Sequence, residues 1–309
     1  MKRIIILTLA TVALAVCGAA QTTTVKKTDW DKDGLKGKVK SIREITYETV
    51  EKLGKLTRGE ILESSNNMIK YDYKGHKTER TIYNSGGSLD YQYTYKYDDK
   101  GYNIEFNEYD SDGKLSQSIY KYDNKGNQTE VNLYKPDGSL AWKYTYKYDG
   151  RGKMTEENGY ESDGSLASQE IYRYDDKGKI TEANRYESDG SLYWKKIYKY
   201  DDRENLTEEN RYKSDGSLFE KHTYNYDNQG NLTEENQYQS DGSLRNKYIY
   251  KYDNKGNLTE VNEYNPDGSL ESTFTCKYKY DSKSNWIEQI EYEANIAVLI
   301  TEREIEYYE

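Results

Sequence analysis

Residues 227–253 read DNQGNLTEENQYQSDGSLRNKYIYKYD, and most of the chain consists of variants of this unit. Each of its terminal aspartates follows a tyrosine, and this Tyr-Asp tag occurs nine times at a regular spacing along the chain. The aspartates of the tags are Asp72, Asp98, Asp123, Asp149, Asp175, Asp201, Asp227, Asp253 and Asp281. Successive tags are 25–28 residues apart, most often 26. A fixed period of this size is typical of a repeat protein and argues against a compact enzyme.

Within one repeat, two strand-like segments alternate with two turns. Residues 231–238 and 244–252 alternate in polarity with a period of two, which is typical of half-buried strands. Ser-Asp-Gly-Ser at 240–243 separates them, and Asn-Gln-Gly at 228–230 follows the tag; glycine suits both turns. The pattern predicts an all-β protein, an elongated array of antiparallel hairpins with a 26-residue period. We expect it to form a single curled sheet or a β-solenoid-like structure.

A glutamate seven residues after each tag aspartate is the most regular charged feature. The period of two places Glu234 and Asn236 on the same face as Leu232, and we expect that face to carry Tyr248 and Tyr250. The row is Glu79, Glu105, Glu130, Glu156, Glu182, Glu208, Glu234, Glu260 and Glu288; the parallel asparagine row is Asn107, Asn132, Asn158, Asn184, Asn210, Asn236 and Asn262. We interpret both rows as structural, with each glutamate accepting hydrogen bonds from tyrosine hydroxyls or turn amides. A row that binds cations or sugars is the alternative.

The composition excludes some functions but does not identify one. The chain has 36 tyrosines against three phenylalanines, and its mean hydropathy is -1.16. Tyrosine must therefore supply most of the apolar surface. The net charge of -10 argues against nucleic acid as a partner, because nucleic acid binding needs a basic surface.

The N-terminus has the layout of an export signal. Lys2 and Arg3 precede a 13-residue apolar run from Ile4 to Val16, and small residues end at Ala20. Residues 1–20 are therefore predicted to be a cleaved signal peptide, too short for a membrane span. The product would be periplasmic, on the cell surface or secreted. Lipoprotein anchoring at Cys17 is the alternative, which the bulk of Val16 disfavours.

The mature chain is predicted to have four parts. Residues 21–34 form a linker, and residues 35–70 form an N-terminal β cap that lacks the tag. The repeats occupy residues 71–281, and residues 282–309 supply C-terminal cap strands. Atypical end units are expected at both ends of an open repeat array, because the outermost strands have no further neighbour.

The repeated motif YxYDxxGN, followed by a strand, an Asp-Gly turn and another YxYD, resembles the Rhs/YD-repeat family. The resemblance covers about 210 residues. It implies strands that spiral into sheets, which in the large members of that family become hollow shells around toxin cargo. The chain looks more like the small exported YD-repeat proteins of Bacteroidetes-type bacteria, and the toxin role is not carried over.

No pattern for catalysis, a cofactor or a metal stands out. His76 and His222 are far apart, and no serine has a partnered base. Residues 29–34, DWDKDG, resemble the start of a calcium loop, but Lys40 stands where such a loop needs glutamate. We therefore predict neither an enzyme nor a metal site.

Aromatic side chains on one face of the sheet could stack on a ligand. The candidate ligand face consists of Trp142, Tyr144, Tyr146, Trp194 and Tyr198. The alternative, which we favour, is that this face folds inward and supplies the core. The predicted function is a non-catalytic binding or scaffold module of the bacterial envelope, with an envelope glycan or a surface protein as partner and no membrane span. The alternative is a structural or toxin-related remnant of a shell-forming repeat protein without cargo.

Overall fold

The computed structural model describes residues 28–309. The predicted signal peptide, Cys17 and the first part of the predicted linker lie outside the described residues. Within residues 28–309 the fold is one short helix followed by twenty strands.

The helix α1 spans Asp29–Lys32, and Thr28 caps its N-terminus. The strands are β1 Val39–Lys52, β2 Lys55–Tyr71, β3 Lys77–Tyr83, β4 Leu89–Tyr97, β5 Asn103–Asp110, β6 Gly113–Tyr122, β7 Gln128–Tyr134, β8 Leu140–Tyr148, β9 Met154–Glu161, β10 Leu166–Tyr174, β11 Ile180–Glu187, β12 Leu192–Tyr200, β13 Leu206–Lys213, β14 Leu218–Tyr226, β15 Leu232–Tyr238, β16 Leu244–Tyr252, β17 Leu258–Tyr264, β18 Leu270–Tyr280, β19 Trp286–Glu293 and β20 Ile296–Tyr307.

Each strand pairs antiparallel with the next one along the chain, so the predicted all-β antiparallel fold is confirmed. The two kinds of turn alternate, which places them at opposite ends of the strands. We call the two ends the tag end and the Asp-Gly end. At the Asp-Gly end, Gly138 adopts a φ of 81°, and its N–H donates to the carbonyl of Lys135 at 2.9 Å. Glycine suits this position because other residues rarely adopt a positive φ.

The expectation of an open curled sheet or a solenoid was wrong, because the sheet closes into a twenty-stranded barrel. The first strand, β1, pairs antiparallel with the last strand, β20, from Val39 opposite Tyr307 to Glu48 opposite Leu299. These two strands lack the tag, so the periodic signal that predicts the hairpins says nothing about their partners. Pairing them leaves no strand of the ring without two neighbours, which removes the edges that an open sheet would expose.

The segment before β1 completes the ring of turns at the tag end. Nine tag turns connect strands there, and the tenth position is the gap between β20 and β1. Residues 28–38 fill it: the indole of Trp30 lies over Gly75 of the first tag turn, and Lys36 exchanges two hydrogen bonds with the side chain of Asn285 in the last. The predicted linker thus carries α1, and these contacts bind it to the barrel.

Each repeat contains a bulge, and the bulge changes which side chains of the outgoing strand lie on each face of the sheet. Tyr200 pairs with Leu206, yet the preceding Lys199 pairs with Glu208, so one extra residue lies on β13. Such a residue turns the following side chains to the opposite face. Leu206 therefore stays with the tyrosines of the return strands, whereas Glu208 and Asn210 lie beside the lysines. We call these the tyrosine face and the lysine face.

The tyrosine face is the more enclosed of the two. Tyr172, Tyr224 and Tyr250 are 5–7% exposed, whereas the lysine side chains of the Lys–Glu pairs on the other face are mostly about 60% exposed. One apolar cluster lies on the tyrosine face around Tyr172, and another at the closure around Val39.

Candidate binding site at the tag end

Each tag turn is a compact unit held by its aspartate. In the turn of residues 123–127, Oδ1 of Asp123 accepts the main-chain N–H groups of Lys125 and Asn127 at 2.9 and 2.8 Å. The N–H of Gly126 donates to the Asp123 carbonyl at 3.1 Å. Burial opposes ionisation of Asp123, but a hydrogen bond from the Asn127 side chain at 2.9 Å and the main-chain hydrogen bonds hold the pKa of its carboxyl below the usual value. The tag aspartate is therefore an anionic part of the turn.

Neighbouring turns stack through the fourth residue after each tag aspartate. His76 stacks on Tyr97 with ring centroids 4.6 Å apart, and Tyr102 stacks on Tyr122 at 4.8 Å. A Cβ added to Gly126 would overlap the Tyr102 ring. The glycine of a tag turn thus provides both a positive φ and the space for the side chain from the preceding repeat.

The tag tyrosines add a second link between neighbouring strands. The hydroxyl of Tyr122 donates to the carbonyl of Asn103, and that of Tyr148 donates to the carbonyl of Gln128, each at 2.7 Å. Burial raises the pKa of both phenols to about 12, so both stay protonated donors at neutral pH. Because the hydroxyls are engaged, the ring faces are the part of these residues that a ligand could contact.

These rings line a cavity of about 460 Å³ below α1, which we call the tag-end cavity. Its wall contains parts of the tag turns from β2/β3 to β8/β9, together with residues 28, 29 and 32 of the N-terminal segment. The aromatic lining residues are Tyr95, Tyr97, Tyr102, Tyr122, Tyr148 and Tyr174, and the other lining side chains include Asp29, Lys32, His76, Asn127, Gln128 and Lys153.

The candidate ligand face predicted from the sequence lies elsewhere on the same face of the sheet. Trp142 lies on β8, where it pairs with Leu133 of β7. Tyr144 and Tyr146 follow it at alternate positions of β8. Trp194 and Tyr198 lie on β12, four strands away, at about 19 Å for a strand spacing of ~4.8 Å. The five residues thus form two separate groups.

The two tryptophans have different surroundings. Trp142 is 37% exposed. Trp194 is more covered: the guanidinium of Arg211 lies 6.0 Å from its ring and 5.2 Å from the ring of Phe219, so the cation is held between two aromatic side chains. Tyr198 packs against the apolar cluster around Tyr172.

Sequence reasoning missed the tag tyrosines as site residues. It treated them as markers of the period, although the tag itself was the available signal: a tyrosine recurring beside a turn brings its ring to the same end of every hairpin. The cavity also depends on α1, and no alternation or spacing predicts that the N-terminal segment returns to this end.

The glutamates of the repeated row have hydrogen-bond partners within the protein, but these are not the predicted tyrosine hydroxyls or turn amides. The bulge places the row on the lysine face, where Glu208 accepts from Lys199 at 2.8 Å, from Lys221 at 3.0 Å and from Asn210 at 2.7 Å. Burial opposes ionisation, but these hydrogen bonds lower the pKa of Glu208 to about 2. The asparagine row therefore orients the glutamates, and the lysines replace the tyrosine hydroxyls as their partners.

The segment that resembles a calcium loop has other contacts. Asp29 accepts from Lys32 and from the main-chain N–H of Lys77, each at 2.8 Å, and Asp33 pairs with the Lys77 side chain at 3.2 Å. Among residues 28–309, no three histidine, cysteine or acidic side chains are grouped as metal ligands would be.

Comparison with known proteins gives distant similarity of structure. No family model matches the chain, and no curated protein is similar to it in sequence. Among solved structures, the crystallised TcdB2-TccC3-Cdc42 is similar over 84% of this chain, with 12% identity and a TM-score of 0.31. The match covers 19% of that chain, so this protein spans about a fifth of its length.

Two porin-like proteins are also distantly similar to the chain. The one from Bacteroides uniformis has 13% identity and a TM-score of 0.37, over 87% of this chain and 96% of its own. The one from Bacteroides vulgatus has 11% identity and a TM-score of 0.33, over 72% and 95%. Similarity at this level indicates no shared function, and neither a family model nor a sequence relative confirms the Rhs/YD-repeat resemblance.

In the part of the chain that the structure describes, no helix is long and apolar enough to cross a membrane.

Proposed function

We propose that this chain is an exported, non-catalytic binding protein of a bacterial envelope, and that it binds saccharides in the tag-end cavity. The observation that carries the proposal is the row of tag tyrosine rings in the wall of that cavity. A volume of about 460 Å³ lies within the ~300–1,000 Å³ usual for small-ligand sites.

The chemistry of the lining suits a sugar. The ring of Tyr148, and the side of the Tyr122 ring that does not stack on Tyr102, offer apolar surfaces on which the C–H faces of a sugar ring can stack. Asn127 and Gln128 lie beside them. Nδ2 of Asn127 donates to Asp123 at 2.9 Å, and the remaining polar atoms of the two amides can exchange hydrogen bonds with sugar hydroxyls. Apolar surfaces with a few placed polar groups are the usual composition of a ligand site.

A binding role agrees with the way the acidic groups are used. The tag aspartates accept hydrogen bonds from turn amides, and glutamates of the repeated row pair with lysines, as Glu208 does with Lys199. Carboxylates held as anions in this way are poorly suited to exchanging protons with a substrate at neutral pH. Export and the envelope location rest on the N-terminal sequence.

Calorimetric titration of the purified protein with a panel of envelope oligosaccharides tests the proposal. We expect at least one saccharide to bind, and Tyr122→Phe to bind it as the wild type does because the ring is kept. Tyr122→Leu should weaken binding about tenfold, in line with ~0.5–1.5 kcal/mol for an aromatic contact.

Tyr134→Leu is the matched control, because Tyr134 pairs with Leu140 at the Asp-Gly end, away from the cavity. Binding that survives Tyr122→Leu unchanged, or a panel in which nothing binds, contradicts the proposal. The alternative of a purely structural shell remnant predicts no saccharide binding, so the same titration separates the two functions.

A further inference from the structure

One lysine in the wall of the tag-end cavity differs from the other cations there. Lys153 is the fourth residue after the tag aspartate Asp149 and is 7% exposed. Its main-chain N–H donates to Asp149, but within residues 28–309 its ammonium has neither an ion pair nor a hydrogen bond to a protein group. Lys32 pairs with Asp29, and Lys77 pairs with Asp33.

The next repeat provides an internal comparison. Lys179 occupies the equivalent position after Asp175, and its ammonium pairs with Glu204 at 3.0 Å. Glu204 stands where most tag turns have glycine, and it adopts a φ of 69°. A non-glycine residue is strained at such an angle. The chain thus accepts a strained glutamate where it places a carboxylate opposite Lys179.

The turn opposite Lys153 has no such carboxylate. The corresponding residue is Gly178, and a Cβ added there would lie 2.7 Å from Cε and 3.0 Å from Nζ of Lys153. The lysine therefore crosses the glycine, as Tyr102 crosses Gly126. It lines the cavity together with Tyr148 and Tyr174. Lys153 thus lacks the counter-ion that Glu204 gives Lys179, and an anion from a ligand can take that place.

We propose that the saccharide bound in the tag-end cavity carries an anionic group, a carboxylate or a sulfate, and that Lys153 binds this group. The inference rests on the proposed function and adds the class of ligand to it. The rings of Tyr148 and Tyr174 line the same cavity, so the sugar ring can stack on them while the anion reaches the ammonium. The net charge of -10 gives the protein no general attraction for acidic polymers, so the selectivity must be local.

The test compares three probes by calorimetry at low salt: an oligogalacturonide, a sulfated oligosaccharide, and a neutral oligosaccharide of the same length. We expect the wild type to bind one acidic probe at least tenfold more tightly than the neutral one. The acidic probe that binds more tightly identifies the anionic group as carboxylate or sulfate. Lys153→Met should remove the preference, so that the acidic and neutral probes bind with similar affinity.

Two further variants make the test specific. Gly178→Glu places a carboxylate opposite Lys153, as Glu204 lies opposite Lys179, and it should also remove the preference for the acidic probe. Lys179→Met is the control and should leave the preference unchanged.

The outcomes separate this inference from the proposed function. Equal binding of neutral and acidic probes by the wild type, or an acidic preference that survives Lys153→Met, overturns the role of Lys153 and leaves saccharide binding standing. If no probe and no saccharide of the wider panel binds, the proposed function is wrong and this inference falls with it.

Discussion

The arc from β3 to β18 and the closure formed by β19, β20, β1 and β2 are built in different ways. In the arc, the same contacts recur in successive repeats: a tag turn, a lysine–glutamate pair and a side chain crossing the next turn. At the closure, contacts occur once. Val39 is the fully buried side chain of residues 28–309, and it packs there with Leu35, Ile42 and Tyr71.

The difference shows how a repeat protein solves the problem of its ends. An internal hairpin finds an almost identical neighbour on each side, whereas the first and last strands must recognise each other without the repeated signals. The closure therefore relies on apolar packing and on single contacts such as the Trp30 indole N–H, which donates to the Val39 carbonyl at 2.8 Å. We expect substitutions at the closure to cost more free energy of unfolding than matched substitutions in the arc.

The largest expected effect is that of Trp30→Ala. The substitution removes the ring that covers Gly75 and the hydrogen bond to Val39, and it should lower the free energy of unfolding by about 3 kcal/mol. Trp142→Ala in the arc removes a more exposed indole and should cost about 1 kcal/mol. Urea denaturation of both variants measures the two costs, and equal costs would show that the closure does not depend on the N-terminal segment.

An intermediate effect is expected where neighbouring turns stack in the arc. Gly126 and Gly138 have φ values of 87° and 81°, but a Cβ on Gly126 would overlap Tyr102, whereas none of the surrounding atoms lies within 4 Å of a Cβ on Gly138. Gly138→Ala should cost about 1 kcal/mol for backbone strain alone. Gly126→Ala should cost a further ~1–3 kcal/mol for the overlap.

Thermal or urea melts of these two variants isolate the stacking term, because the backbone strain is the same in both. Similar stabilities would mean that Tyr102 moves aside freely, and that the contact between neighbouring turns contributes little to the arc.

The smallest effect per residue concerns the lysine face. Hydrogen bonds from Lys121 and Lys143 lower the pKa of Glu130 to about 2, and Glu208 is lowered similarly. Because the folded-state pKa lies below the ordinary 4.5, the stabilisation is present above pH 4.5 and is lost as the pH falls towards 2. The pairs are near the surface, so each should contribute less than about 1 kcal/mol.

Urea midpoints at pH 5 and pH 3 test this expectation. The wild type should lose stability between the two values, and the double variant Glu130→Gln/Glu208→Gln should lose less. Glu157 and Glu291, whose pKa values are raised by burial, act in the opposite direction and are unchanged in both proteins. An identical loss of stability in the two proteins would mean that Glu130 and Glu208 do not contribute to the acid sensitivity.

The hairpins of the arc could be predicted because their signals are local. The Asp-Gly turns and the period of two specify two strands and two turns wherever the repeat occurs. The bulge opposite Tyr200 could not be read from alternation, and it moved Glu208 and Asn210 to the other face. One extra residue is enough, because the side-chain period of a strand is two.

The closure and the tag-end cavity could not be predicted for a different reason. Whether a sheet closes depends on its twist and on the number of strands, which are properties of the whole ring. The alternation of polarity in β1 and β20 predicts two strands, but it does not predict that these strands pair with each other. The position of Trp30 over Gly75 follows only once the ring is closed, so the cavity below α1 was not visible in the sequence.

A designed disulfide between β1 and β20 tests whether the ring of strands is closed. Thr46 and Thr301 are paired residues on β1 and β20, and their hydroxyl oxygens lie 3.0 Å apart. In a Cys276→Ser background, Thr46→Cys/Thr301→Cys should form an intramolecular disulfide in the monomeric protein, detected by mass spectrometry without reductant. The pair Thr46→Cys/Thr145→Cys, with Thr145 far along the arc on β8, should stay reduced. Free thiols at both 46 and 301 under oxidising conditions would contradict a closed barrel and favour an open sheet.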